Sequence, residues 1–141
     1  MEKKTEPLKP RFLRYLPGGV RLREAWPSED EFFRSRRDVS GLAADDGCVV
    51  LNPYTDLSMA QSDAVALNEA ARIVMRQSHI RPTFTLTAEQ QAAFEDYGSL
   101  EDIRATIAAR ILSGDPSALT PTPDQLLFVN QLAQEMGLSK P

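Results

Sequence analysis

The sequence predicts a helix-dominated α+β fold: an N-terminal β-hairpin plus a short central strand, packed with four to five helices. Three observations carry that reading. Two strand-like runs, 11–16 and 20–26, flank Pro17-Gly18-Gly19. The continuous apolar run from Cys48 to Leu51 has strand length, with two β-branched residues between Gly47 and Pro53. Finally, a Ser or Thr followed three residues later by Gln, Glu or Asp recurs ahead of the amphipathic stretches, which is how a helix satisfies its free N-terminal donors.

Residues 1–10 are polar, carry two prolines and read as a flexible arm. Residues 11–137 read as one globular domain and 138–141 as a tail. In the second hairpin strand Val20, Leu22, Glu24 and Trp26 share a face, which places Trp26 inward. Ser28 with Glu31 predicts a short helix, and Arg34, Arg36 and Arg37 in its last turn suit the helix dipole without any ligand. Residues 41–47, containing Asp45-Asp46-Gly47, read as a loop into the central strand.

Ser58 with Gln61 starts a long helix near Met59 that Pro82 must end. On a helical wheel Ala60, Ala64, Leu67, Ala70, Ala71, Ile73 and Val74 share an apolar arc of more than half the circumference. An arc that wide requires burial against more than one neighbour, so this is the central helix. Residues 81–87 alternate polar and apolar as an extended connector, with Phe84 and Leu86 inward. Thr87 with Gln90 opens a helix over 88–97, and Ser99 with Asp102 opens another to about Ser113, capped by Gly114. Residues 114–123 read as a rigid loop. Thr122, Pro123 and Gln125 mark the last helix, which presents Leu126, Val129, Ala133 and Met136 and closes at Gly137.

Composition bounds the function. The chain has 141 residues, 42% hydrophobic and 26% charged, ordinary values for one globular domain. Its single cysteine, Cys48, can make no intramolecular disulfide, which favours a reducing, cytoplasmic setting. No stretch approaches the ~20 apolar residues of a membrane span. Residues 1–40 carry ten Lys/Arg against seven Asp/Glu; the remainder carries six against thirteen. A basic head on an acidic body steers encounters with a charged partner or a second copy. Arg11, Arg14, Arg21 and Arg23 interleave with Phe12, Tyr15 and Trp26 as in single-stranded nucleic-acid platforms, but the net charge of −4 argues against nucleic acid.

No catalytic constellation is visible. The one histidine, His79, has no triad or metal partner in any motif, and neither a phosphate loop nor a dinucleotide fingerprint occurs. No metal set and no cofactor is implied, so the chain reads as a non-enzyme. Two candidate binding features remain. The strand–helix joint Asn52, Tyr54, Thr55 and Ser58 precedes a helix N-terminus that offers N–H donors to an anion. The narrow polar stripe Asn68, Glu69, Arg72 and Arg76 either faces solvent or fills a slot between neighbouring elements. The leading expectation is a cytoplasmic interaction or accessory protein, an inhibitor or adaptor of the phage or mobile-element type, for example anti-defence, whose partner is a protein or its own copy. The alternative is a binder of an anionic small molecule such as a nucleotide, through Arg72, Arg76 and the Asn52–Ser58 joint.

Overall fold

The computed structural model describes residues 10–115 and 120–138. Residues 1–9, 116–119 and 139–141, which hold most of the expected arm at 1–10, part of the expected loop at 114–123 and most of the expected tail at 138–141, lie outside the described residues.

Strand β1 (Phe12–Tyr15) and strand β2 (Arg21–Arg23) form the expected antiparallel hairpin, with a register shift between Phe12 and Arg14. Strand β3 (Gly41–Ala43) and strand β4 (Cys48–Leu51) complete one sheet in the order β1-β2-β4-β3. Strand β4 is central as expected, parallel to β2 and antiparallel to β3. Parallel neighbours need a crossover, and here it carries helix α1 (Pro27–Ser35) and β3. Strand β3 corrects the loop expected at 41–47. Gly-Leu-Ala shows no alternation and no β-branched residue, so its pairing with β4 comes from tertiary contact rather than local preference. The turn at Asp45-Asp46-Gly47 joins the two strands, with Gly47 at positive φ.

Helix α1 also begins earlier than expected. Trp26 is the N-cap position, Pro27 opens the helix, and Glu29 rather than Glu31 accepts the Trp26 N–H at 2.8 Å. Trp26 therefore turns outward, 36% exposed, correcting its inward placement. Helix α2 (Met59–Gln77) has the Ser58–Gln61 capping box and ends with His79 at φ 55°, where the Ile80 N–H closes back on the Met75 carbonyl at 2.9 Å. Helix α3 (Ala88–Ala93) is shorter than expected, giving way to a 3-10 turn at Glu95–Tyr97. Helix α4 (Leu100–Ser113) and helix α5 (Pro123–Glu135) keep their expected caps at Ser99, Gly114 and Thr122.

Leu22 and Val49 of the sheet share the main core with Ala66, Ala70, Ala71, Ile73 and Val74 of α2. The far side of α2 packs on α4, where Ala108 and Ala109 are also fully buried. Buried alanines on both helices suit close helix packing, and α2 is sandwiched between the sheet and α4. Val50 of β4 and Phe33 of α1 are fully buried outside that cluster. In α5 and at its C-cap the inward residues are Val129, Leu132, Ala133 and Met136; Leu126 is exposed instead, as are Leu100 and Ala60, which sit in first turns.

The hairpin turn locks onto this core. Gly18 has φ 85°, its N–H donates to the Met136 carbonyl at 2.8 Å, and a Cβ there would meet Val74 Cγ2 at 2.7 Å. Gly18→Ala should therefore cost about 2 kcal/mol through backbone strain and overpacking, read as a lowered chemical-denaturation midpoint. Gly19→Ala, with open space around its Cβ, isolates the strain alone.

Candidate functional site

The polar stripe of α2 lines a groove. Glu69, Arg72 and Arg76 follow the i, i+3, i+7 spacing that keeps side chains on one helical face. That face is roofed by β3 on one side and α4 on the other, and two adjoining depressions of about 540 and 820 Å³ share Gly41, Glu69 and Arg72. The first continues past Arg76, His79 and Arg81 and is walled by Glu101 and Asp102 of α4. The second runs past Asn68 toward Tyr97, Thr106 and Arg110.

Arg72 Nη1 donates to Thr106 Oγ1 at 2.8 Å across to α4, and Arg76 Nη2 reaches the Ala44 carbonyl at 3.4 Å. Neither guanidinium joins an ion pair among the described residues. Glu69 is half-buried beside them. Burial pushes its carboxyl above the usual carboxylate range, and the charge on Arg72 offsets only part of that. The groove thus holds guanidinium donors and a desolvated carboxyl that the fold itself leaves largely unused.

The strand–helix joint is arranged differently. Asn52 Nδ2 donates to the Phe33, Arg36 and Val39 carbonyls, and its Oδ1 accepts the Tyr54 N–H at 2.8 Å. Tyr54 Oη donates to Asp30 at 2.9 Å and accepts from Arg34, whose guanidinium also lies over the Tyr54 ring. Thr55 Oγ1 donates to the Asn52 carbonyl at 3.0 Å, and Ser58 Oγ accepts the Gln61 N–H of its own capping box. These four residues tie α1 and the start of α2 to the end of β4, and none lines the groove. Asn68, Glu69, Arg72 and Arg76 are brought together; Asn52, Tyr54, Thr55 and Ser58 stand apart from them.

A second surface lies on the hairpin. All four residues of β1 are exposed, with Phe12 at 48%, Leu13 at 48% and Tyr15 at 61%. The Phe12 and Tyr15 rings are 4.9 Å apart, and the Arg21 guanidinium lies about 6 Å over both. Arg11 and Arg14 are matched by Glu24 and Asp63, whereas Arg21 has no carboxylate partner among the described residues. The aromatic–basic mixture was visible in the sequence. Its exposure was not, because β1 is an edge strand only once β4 has paired with β2 rather than β1.

Arg23, the fourth arginine of the hairpin, belongs to the interior. Its guanidinium is buried, forked on Glu29 at 2.8 and 3.0 Å and on Asp46 at 2.9 and 3.3 Å. The hydrogen bond to Glu29 above all raises the Arg23 guanidinium, while Arg23 holds the Glu29 carboxyl below its ordinary value. Desolvation pushes Asp46 upward, but Arg23 and the Cys48 N–H outweigh it and leave Asp46 lowered.

No family model, curated protein or solved structure matches the chain. Among the described residues no helix is long and apolar enough to cross a membrane.

Proposed function

We propose that the protein is a non-enzymatic accessory protein, an inhibitor or adaptor, that docks a partner protein along strand β1. The observation that supports this reading is an outer strand whose four residues are all exposed, three of them large and hydrophobic. A sheet edge presents unpaired N–H and C=O groups, and folded chains blunt such edges with charge, bulges or cover. Here Arg14 and the register shift after Phe12 blunt the edge only in part, and apolar rings flank it, the arrangement that strand addition uses: main-chain bonds for affinity, alternate side chains for selectivity. Arg21, lacking a carboxylate, selects an extended partner segment with an acidic residue beside apolar ones. A second copy would bring the same cationic face against itself. Burial pushes the Cys48 thiol up, which suits a stable reduced cysteine and a cytoplasmic setting.

The test is the Phe12→Ser/Tyr15→Ser double variant. The variant loses the ring pair and the Arg21 contact, so stability should fall by about 1–2 kcal/mol at most, and the chain should stay folded. Capture of the partner from the native host, quantified by mass spectrometry, should fall by tenfold or more, the usual weight of an aromatic hot spot. Unchanged capture by a stable double variant overturns the docking surface, and self-association that vanishes in the variant makes the occupant a second copy.

A further inference from the structure

The groove on α2 holds a pattern of chemistry independent of the β1 surface. Glu69 and Arg72 are one helical turn apart at its centre, and Arg76 lies a turn further on. At 1.5 Å rise per residue, Glu69 and Arg76 are separated by about 10 Å along the helix, the scale of a mononucleotide from base edge to phosphate. From these positions we infer that the groove binds a guanine mononucleotide, with Glu69 and Arg72 on the base edge and Arg76 and Arg81 on the phosphate.

The reasons are those of complementarity. The Watson–Crick edge of guanine presents two adjacent N–H donors beside a carbonyl oxygen. A carboxylate accepts both N–H groups, and a guanidinium one turn away donates to the oxygen. Among the described residues Arg72 hydrogen-bonds Thr106 alone, which fixes its plane and leaves further donors for the ligand. Glu69 makes no hydrogen bond to the described residues, and the charge on Arg72 offsets only part of its desolvation; two N–H donors would satisfy it. At the other end Arg76 and Arg81 supply positive charge without ion-pair partners. Glu101 and Asp102 wall the same depression, suited to ribose hydroxyl donors and unfavourable to further phosphates. A monophosphate is therefore preferred over a triphosphate.

Isothermal titration of the full chain with guanosine 5′-monophosphate, adenosine 5′-monophosphate, guanosine 5′-triphosphate and inorganic phosphate tests this directly. The guanine monophosphate should bind at least tenfold more tightly than each of the others, since each lacks a matched hydrogen bond or adds repelled charge. Glu69→Gln should erase the preference for guanine over adenine, and Arg76→Ala should weaken both monophosphates alike. Glu69→Gln should also melt at or above the wild-type temperature at neutral pH: a carboxyl raised by burial costs stability once ionised, and the amide removes that cost. Three results would overturn the assignment: no binding of the guanine monophosphate at millimolar concentration, equal binding of all four probes, or a folded Glu69→Gln variant that keeps the guanine preference. Equal binding would leave only a phosphate-binding patch at Arg76. The Phe12→Ser/Tyr15→Ser variant should bind the nucleotide normally, so failure of this site and failure of the β1 surface are separable.

Discussion

Replacing Arg23 by alanine should lower stability by about 3 kcal/mol, and the loss should depend on pH. The guanidinium is the only cation joining β2, the N-terminus of α1 and the β3–β4 turn among the described ion pairs. Removing it strands Glu29, a carboxylate that is four-fifths buried (side-chain exposure 19%), with only the Trp26 N–H as partner. Breaking one side of a buried pair costs about 3–5 kcal/mol because the other charge stays desolvated. Asp46 is half exposed and water compensates it, so most of the cost falls on Glu29 and the lower end of the range is expected. Both carboxyls are lowered in the fold. Their stabilisation is complete above the unfolded carboxylate values, near about pH 4, and is lost as pH falls through the lower folded values. Wild type should therefore lose stability on acidification more steeply than Arg23→Ala. Denaturation at neutral pH and in acid checks both statements: parallel pH profiles would show that the pair contributes nothing. Adding Glu29→Gln to Arg23→Ala should recover part of the loss, since no buried charge then remains.

The contrast between the arginines shows which physics is local enough to read in a sequence. Helix starts were legible at Ser58, Thr87, Ser99 and Thr122, because a cap is settled within four residues. The central position of β4 followed from its unbroken apolar run. Strand β3 was not legible, since Gly41–Ala43 pairs only because β4 offers it an edge. Arg21 and Arg23 are two residues apart and look alike; one lies over exposed rings and the other is buried and forked between α1 and the β3–β4 turn. The stripe Asn68, Glu69, Arg72 and Arg76 follows from helical periodicity, but the groove does not, as its walls come from Gly41 and Thr106, each far along the chain. The joint Asn52–Ser58 resembled an anion site because capping and ligand binding use the same donors and acceptors. Asn52 shows the difference: its amide is already occupied by three carbonyls and one N–H.

Gln90 and Gln125 should prove energetically coupled although 35 positions separate them. Each is the third residue of its helix and accepts the N–H of its own cap residue, Thr87 at 3.0 Å and Thr122 at 3.1 Å. Each also donates through Nε2 to the other's Oε1, at 2.9 and 2.7 Å, and Gln125 Nε2 reaches the Thr85 carbonyl as well. Two capping boxes are thereby joined back to back, with both side chains fully buried. Gln90→Leu removes one cap and leaves the Gln125 amide short of a partner, so about 2–3 kcal/mol should be lost. Gln125→Leu should cost at least as much, because the Thr85 carbonyl loses its donor too. The double variant leaves neither glutamine amide unmatched, so its cost should fall below the sum of the two singles by about 1 kcal/mol or more. A double-mutant cycle in urea measures this, and strict additivity would mean the two amides act separately. Since this pair joins α3 to α5 through both of its hydrogen bonds, the same variants should also raise amide exchange at the starts of both helices together, where an independent cap would release only its own.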